Sequence, residues 1–280
     1  MGERPRRSVW RRLRRLTVFI LVGYLIVLGV MLALENRLLY FPSRFPGDWH
    51  EPRDLDKQDV TLVAADGTSI HAWWCPRPGA TGALLHCHGN GGNLSHRAGV
   101  YAALQREQNV SVLGFDYPGY GRSGGKPSEA GCYAAAEAAY EWLTIRQQVP
   151  PERLILFGES LGGGPATELA TRRPYRALVL FSTFTSAPDV GRDHYPLLPV
   201  RLLMRNRFDN IRKVPELTRP VFIAHGDADS LISPDHARRL FDAVRAPVAL
   251  HLDPGRGHTH AMTPAFHAAL RDFLQENAPL

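Results

Sequence analysis

Short apolar runs recur along the chain and are the first indication of its fold. Each is about the length of a buried strand and ends near glycine, proline or a charged residue. Strands are predicted near residues 59–64, 69–75, 83–88, 110–115, 153–158, 177–182, 220–225 and 247–252. Longer helical patterns separate most of these runs, near residues 94–107, 128–147, 161–172, 234–245 and 260–275.

The order of the elements predicts the fold class. Asp66-Gly67 separates the first two strands and is a hairpin signal. The later strands alternate with helices, which is typical of a mostly parallel sheet with helices on both faces. We therefore predict an α/β domain over residues 58–280, built on a mostly parallel eight-stranded sheet.

The N-terminal segment has a different pattern. Leu16 to Leu34 is nineteen residues without a charge, and such a helix would span about 28 Å, close to the hydrocarbon thickness of a bilayer. A cleaved signal peptide would have a shorter apolar core and a small-residue cleavage site, which Leu34-Glu35-Asn36 does not resemble. We predict a retained transmembrane anchor at 16–34, between an Arg-rich tail at 1–15 and a juxtamembrane linker at 35–57.

The charge of the chain is concentrated in that tail. Its seven arginines and Glu3 give +6, which equals the net charge of the whole chain at pH 7. The remaining residues balance, so the basic composition indicates membrane topology and not a nucleic-acid partner. The tail should be cytoplasmic and the catalytic domain extracytoplasmic, in a periplasm or a lumen. The linker aromatics are expected at the lipid interface: Tyr40, Phe41, Phe45 and Trp49.

The stretch Gly158-Glu159-Ser160-Leu161-Gly162 has the form G-x-S-x-G and lies between a predicted strand and a predicted helix. A serine on such a turn is held in a strained backbone that lifts its Oγ above the sheet, and the glycines leave room for the turn. A chance match in a glycine-rich loop would not have this strand-to-helix context. Ser160 is therefore the candidate nucleophile.

A serine nucleophile needs a base and a carboxylate that orients the base. Two later strands end in suitable residues, in the order acid then histidine that this architecture uses. We assign Asp229 as the acid and His258 as the base. Asp227 is the alternative acid, with Asp229 as a helix cap, and His260 is the alternative base. Gly257 favours His258 because it lets the backbone bend just before that residue.

A glycine-rich loop follows another predicted strand, in the segment His88-Gly89-Asn90-Gly91-Gly92-Asn93. Glycines allow bare backbone to approach a ligand. We expect the N–H groups of Asn90 and Leu161 to form an oxyanion hole, each contributing roughly 3 kcal/mol in the transition state. An ordinary turn with Asn93 as a helix N-cap is compatible with this role.

Cysteine and histidine usage bears on the other chemistries. Cys75, Cys87 and Cys132 are odd in number, so we expect no disulfide framework and at most one bridge. His86 and His88 share a strand face, but no carboxylate or cysteine group at ligand spacing supports a metal site there. We expect no metal and no cofactor. We also expect a monomer.

These motifs resemble the α/β-hydrolase superfamily over about residues 58–277. Within it the chain is most similar to single-pass, membrane-anchored serine hydrolases of the bud-emergence-protein-like group. The resemblance implies hydrolysis of lipid esters or acyl thioesters. One departure is Pro165, which could kink the helix after the nucleophile. The matching segments are Glu35-Asn36-Arg37-Leu38-Leu39-Tyr40-Phe41-Pro42, His88-Gly89-Asn90-Gly91-Gly92-Asn93, Asp116-Tyr117-Pro118-Gly119-Tyr120-Gly121-Arg122-Ser123 and Gly158-Glu159-Ser160-Leu161-Gly162-Gly163-Gly164.

Residues 183–216 interrupt the strand–helix alternation. In the superfamily that the chain resembles, this position commonly carries a cap over the active site. Its apolar residues are either the lining of an acyl pocket or the core of a short helix. The candidates for the pocket are Leu197, Leu198, Leu202, Leu203 and Met204.

These observations favour a membrane-anchored serine hydrolase that cleaves carboxylic esters or thioesters of acyl, lipid-like substrates at the bilayer. A peptidase or aminopeptidase with the same triad is the alternative enzyme. No added domain or carboxylate cluster that would hold a peptide end is evident. A catalytically silent scaffold is the alternative class, and an intact Ser160, Asp229 and His258 argues against it.

Overall fold

The apolar runs form strands that pair mainly in parallel in the computed structural model, which describes residues 6–259 and 261–280. The described strands are β1 (Phe41–Pro42), β2 (Gln58–Val63), β3 (Ser69–Cys75), β4 (Gly82–Cys87), β5 (Gly91–Gly92), β6 (Val110–Phe115), β7 (Leu154–Glu159), β8 (Ala177–Phe181), β9 (Val221–Gly226) and β10 (Val248–Asp253). Eight of these described strands form one sheet in the order β10-β9-β8-β7-β4-β6-β3-β2. The β2–β3 and β3–β6 pairs are antiparallel and the other pairs in this sheet are parallel. The predicted mostly parallel eight-stranded sheet is confirmed.

Helices follow most strands. The described helices are α1 (Arg6–Leu39), α2 (Ala98–Gln108), α3 (Glu129–Glu141), α4 (Gly163–Arg172), α5 (Ala187–His194), α6 (Val200–Leu203), α7 (Asn210–Lys213), α8 (Asp235–Ala243) and α9 (Pro264–Asn277). The described helices α3, α5 and α9 begin at side-chain caps. The Ser128 side chain accepts the Gly131 N–H at the start of α3, and Thr263 caps α9 in the same way. Asn93 accepts the Ser95 N–H at a 3₁₀ turn before α2, as predicted for this residue.

The sheet is buried on both faces, as the continuous apolar runs of its central strands require. Successive residues of β4 show the two sides, because side chains alternate along a strand. Leu85 belongs to the core that includes Leu169 of α4, whereas Leu84 belongs to the core that includes Tyr101 of α2 and Phe266 of α9. The helices hold the sheet rigidly from both sides, so the strand ends are fixed points for the loops that follow them.

Helix α1 is longer than the predicted anchor at both ends. Val9–Leu39 is long and apolar enough to cross a membrane by length and composition. Its last residues, 35–39, were predicted as linker but continue the helix. The chain then enters the domain at once, because β1 pairs in parallel with β5.

The linker aromatics do not behave alike. Tyr40 is only 3% exposed, and its hydroxyl donates to Asn206 Oδ1 at 2.8 Å. Trp49 packs edge-to-face against Trp73, with ring centroids 5.4 Å apart. The expectation of a lipid interface is therefore wrong for Tyr40 and Trp49, whose rings pack on the domain. Phe41 and Phe45 are exposed.

Two further expectations are settled by the local structure. Pro165 is the third residue of α4, so it lies in the first turn, where a backbone N–H has no helical partner to lose. The expected kink therefore has no cause.

The three cysteines are buried and free. Residues 183–216 contain the short helices α5, α6 and α7, and residues of α5 and α6 border a cavity at the carboxyl ends of the central strands.

Candidate active site

Ser160 lies on a strained turn between β7 and α4. Its φ is +51°, in the left-handed region that a serine rarely adopts, which costs about 1–3 kcal/mol. The flanking glycines are required by close backbone packing. A Cβ on Gly158 would lie 2.6 Å from the Gly162 carbonyl oxygen, and a Cβ on Gly162 would lie 2.7 Å from the carbonyl oxygen of His88. The sequence therefore folds here only with glycine on each side of the serine.

The loops after β9 and β10 bring a carboxylate and an imidazole to this serine. The Ser160 hydroxyl contacts His258 Nε2 at 3.0 Å, and His258 Nδ1 contacts Asp229 Oδ2 at 2.7 Å. Because Asp229 can only accept, Nδ1 carries the proton and Nε2 is left to accept from the serine. All three residues lie at the carboxyl ends of parallel strands, the edge where open α/β sheets bind ligands.

The alternative acid does not join this group. Asp227 is exposed, and its Oδ1 accepts the Gly255 N–H at 2.6 Å, so it contacts the loop that carries His258 and not the imidazole. The alternative base, His260, lies outside the described residues.

Asp229 is held as a carboxylate by four donors. Its Oδ1 accepts the N–H groups of Leu231 and Ile232, each at 2.9 Å, and its Oδ2 accepts His225 Nε2 at 3.0 Å as well as His258. Burial alone would raise the pKa of Asp229, but these hydrogen bonds outweigh burial and hold the pKa well below its usual value. The group facing His258 is therefore negatively charged at every pH near neutrality.

The glycine-rich loop lies against the serine on its other side. A Cβ on Gly89 would lie 3.5 Å from Ser160 Cβ, and Asn90 and Leu161 both border the cavity above the serine. Two buried tyrosine side chains hold this loop in place by hydrogen bonds. The Tyr120 hydroxyl donates to Asn90 Oδ1 at 2.9 Å, and the Tyr117 hydroxyl donates to the His88 carbonyl at 2.8 Å.

A cavity of about 570 Å³ opens above Ser160 and His258. One wall is a single face of α1, because its members recur with the period of a helix. Residues of the cap segment 183–216 form another wall. The α1 residues that line the cavity are Leu28, Met31, Leu32, Glu35, Leu38 and Leu39.

Only part of the predicted cap lining faces this cavity. Leu198, Leu203 and Met204 line it. Leu197 and Leu202 are 87% and 82% exposed and do not line it, so the prediction is wrong for these two residues. Leu202 lies on the side of α6 away from Val200 and Leu203, which line the cavity, and Leu197 lies in the loop before α6.

The end of α1 is fastened to the cap by a buried carboxylate. Glu35 accepts the backbone N–H groups of Arg205 at 3.0 Å and Asn206 at 2.8 Å, and the Asn206 side chain at 2.8 Å. Nearer the middle of the helix, the Tyr24 hydroxyl donates to the Leu197 carbonyl at 3.0 Å. The cavity wall contributed by α1 is therefore attached to the cap at two levels.

Comparison with known proteins identifies the family. A family model for the alpha/beta hydrolase fold matches residues 82–210. The uncharacterized protein Rv2307c of Mycobacterium tuberculosis is 38% identical over 278 residues, which cover 96% of this chain and 98% of that protein. Human alpha/beta hydrolase domain-containing protein 17B is 35% identical over 186 residues, which cover 65% of this chain and 62% of that protein. This chain belongs to the α/β-hydrolase superfamily.

A solved structure agrees at the level of the fold. The Pyrococcus furiosus esterase Pf2001 superposes on this hydrolase with a TM-score of 0.70 at 19% identity, covering 85% of this chain and 97% of the esterase. The shared fold agrees with the α/β architecture that the sequence predicts.

The hydrolase has a second charged cluster at the serine turn, which the sequence analysis missed. Glu159 Oε2 lies 3.4 Å from His86 Nε2 and 3.9 Å from Arg97 Nε. Burial alone would raise the pKa of Glu159, but His86 and Arg97 outweigh it and lower the pKa to about 2. Burial lowers the pKa of His86, so this imidazole stays neutral. Arg97 also borders the cavity, and its Nη2 donates to the Gly91 carbonyl at 2.9 Å.

His225 is the other neighbour that sequence reasoning did not find. Its Nε2 lies between Asp229 Oδ2 and the Ile232 carbonyl, at 3.0 and 2.9 Å, so both acceptors require the proton on this nitrogen. Its position at the end of β9, four residues before Asp229, was the available signal.

Proposed function

We propose that this hydrolase is a membrane-anchored serine hydrolase that cleaves esters or thioesters of acyl, lipid-like substrates. In this proposal Ser160 is the nucleophile, His258 the general base and then the general acid, and Asp229 the carboxylate that orients it. Support comes from the two contacts that join the three side chains, 3.0 and 2.7 Å long, in the direction that proton transfer needs.

The reaction would proceed through an acyl-enzyme. His258 Nε2 takes the Ser160 proton as Oγ attacks the carbonyl carbon, and the same imidazolium then protonates the leaving alcohol or thiol. The N–H groups of Asn90 and Leu161 would hold the developing oxyanion, because both residues border the cavity beside the serine. Water, activated by the same imidazole, would release the acid.

The composition of the cavity favours an acyl substrate. Ser160 and His258 border one part of it, and ten leucines, methionines and valines from α1 and the cap line another part. A single apolar cavity of this volume is typical of a small-molecule site. The observation that carries the proposal is that one wall belongs to α1, the helix that could cross a membrane.

The same wall suggests how substrate arrives. An acyl chain that enters between α1 and the cap would leave the hydrocarbon of the bilayer without crossing water. Leu197 and Leu202, which are exposed on the cap, would then face lipid. In this proposal the Arg-rich tail lies in the cytoplasm and the hydrolase domain lies outside it, because arginines that flank a membrane span stay on the cytoplasmic side.

Filling the cavity from the α1 side tests this proposal. Met31 borders the cavity, whereas its neighbour Val30 is exposed on the helix and is absent from the lining. Met31→Trp should displace two or three methylenes of a long acyl chain, worth roughly 2 kcal/mol, or about 30-fold in kcat/KM. Activity on a two-carbon ester should change little. Val30→Trp is the matched control and should leave both activities unchanged.

The measurement is kcat/KM of the full chain in detergent micelles for p-nitrophenyl esters of increasing acyl length. An equal loss on short and long esters in Met31→Trp would contradict an acyl chain beside α1. A loss of the same size in Val30→Trp would show that the effect comes from the helix in the micelle and not from the cavity.

A further inference from the structure

Three metal-binding side chains converge on the surface, apart from the serine and its partners. Asp48 and His50 belong to the segment after β1, and His96 belongs to the 3₁₀ turn after β5. Asp48 Oδ1 lies 3.4 Å from His50 Nε2 and 3.3 Å from His96 Nε2. One donor atom from each residue lies within 4.8 Å of the other two. Neither the fold nor the proposed hydrolysis requires this grouping.

The spacing agrees with one metal ion bound by all three residues. Tetrahedral Zn²⁺ with bonds of about 2.0–2.1 Å has ligand atoms about 3.3–3.4 Å apart. Two of the three edges already have this length. His50, whose side chain is 72% exposed, is free to turn and shorten the third. The two imidazole rings are tilted by 39° with centroids 5.4 Å apart, so they are not stacked face to face.

The ligands are held by one short loop, residues 92–96. The Asn93 side chain donates to the Asp48 carbonyl at 2.6 Å, and the His50 N–H donates to Ser95 Oγ at 3.0 Å. These bonds fix the backbone of the two ligands that come from the linker. A site whose ligands are positioned in advance loses less entropy when it binds.

The third ligand is positioned by a glycine. Gly92 has a φ of +82°, and a Cβ at this position would overlap the His96 ring, with Cε1 3.1 Å away. Only glycine allows the His96 ring to lie here and to present Nε2 to Asp48. The loop thus holds three donor atoms within 4.8 Å of one another at the surface.

We propose that Asp48, His50 and His96 bind one Zn²⁺ ion, with water in the fourth position. Two imidazoles and one carboxylate suit zinc better than Mg²⁺ or Ca²⁺, which prefer oxygen ligands. The ion joins the linker to residues 92–96, and Asn90 and Arg97 on either side of this loop border the cavity. It therefore fastens the membrane-proximal segment to the edge of the active site.

Titration calorimetry with ZnCl₂ tests the site on the metal-free full chain in detergent micelles. We expect one Zn²⁺ per chain, and no binding of Mg²⁺ at the same concentration. His50→Ala and His96→Ala should each lower the zinc affinity by at least tenfold. Co²⁺ should give the visible absorption of a four-coordinate site, and His96→Ala should remove it. His50→Ala should remove no core packing, because the side chain is exposed, so a loss of zinc affinity in this variant reports on the ligand itself.

Two control variants identify the source of any binding. His251 Nε2 lies 3.2 Å from Asp253 Oδ1, which is a histidine–aspartate pair on β10 and not in the proposed zinc site, so His251→Asn should keep the zinc affinity. His258→Ala should also keep it, which excludes zinc held by the serine site. Unchanged binding in both His50→Ala and His96→Ala would overturn the proposal, and so would loss of binding in His258→Ala alone.

Discussion

Replacement of the Asp229 carboxylate by an amide is the sharpest perturbation of the proposed mechanism. Asp229→Asn keeps the shape of the side chain but removes its charge. Asp229 Oδ2 lies 2.7 Å from His258 Nδ1, and the substitution places an amide donor or a weaker amide acceptor at that position. Two unit charges at this separation attract by about 6 kcal/mol at an effective dielectric of about 20. That attraction exists only after His258 has taken the serine proton, so its loss raises the barrier and not the ground state.

The amide retains some hydrogen bonding, so we expect kcat to fall by roughly 10³- to 10⁴-fold, or about 4–5.5 kcal/mol. The KM for a short soluble ester should change little, because Asp229 does not line the cavity. Steady-state kinetics on that ester measure the effect. The melting temperature should be recorded in parallel, because Asp229 also accepts hydrogen bonds from Leu231 and Ile232.

Asp227→Asn is the matched control. Asp227 is two residues away and exposed, and it contacts the Gly255 N–H instead of the imidazole. It should change kcat by about twofold at most, as most exposed substitutions do. A larger effect from Asp227→Asn than from Asp229→Asn would refute the assignment of the acid, as would a loss of less than tenfold in Asp229→Asn with the fold intact.

Other predictions concern the turn, the buried acid and the helix. Gly162→Ala should lower the free energy of unfolding by several kcal/mol or prevent folding, because its Cβ meets the Cys87 and His88 carbonyls. Gly99→Ala is the control: a Cβ there meets open space, so the free energy of unfolding in urea should rise by about 0.5–1 kcal/mol. Because the pKa of Glu159 is lowered, its contribution to stability is complete above about pH 4.5 and is lost as the pH falls toward 2. The urea midpoint should therefore fall less steeply between pH 5 and pH 3 in Glu159→Gln than in the unaltered chain. Equal slopes would contradict this. Glu35→Gln should release α1 from the cap and remove the preference for long-chain esters while short-chain rates persist, and an unchanged chain-length profile would show that this carboxylate does not hold the wall. Protease added to the extracytoplasmic side of sealed membrane preparations should cut the catalytic domain, and a domain protected there would reject the proposed topology.

The sheet was predictable because buried parallel strands leave continuous apolar runs in the sequence. Each strand from β2 to β10, apart from the two-residue β5, lies within two residues of its expected position. The serine turn, Asp229 and His258 were identifiable for a related reason, since each follows such a run and short loops leave little freedom in where the side chain lies.

Contacts between distant segments could not be predicted in the same way. The face of α1 that lines the cavity carries no local signal, because the residues on its other faces are equally apolar. Leu197 and Leu202 were assigned to the pocket by composition alone, and the single turn of α6 is too short for periodicity to reveal a face. The burial of Tyr40 depends on Asn206, which is 166 residues away.

The central claim is that Ser160 is the nucleophile of a working serine hydrolase. The most direct test is to treat the full chain in detergent micelles with a fluorophosphonate and to map the modified residue by peptide mass spectrometry. The account predicts one phosphonylated residue, Ser160, and no labelling of Ser160→Ala when its melting temperature is unchanged. Labelling of a different serine, or undiminished labelling and esterase turnover in Ser160→Ala, would contradict it.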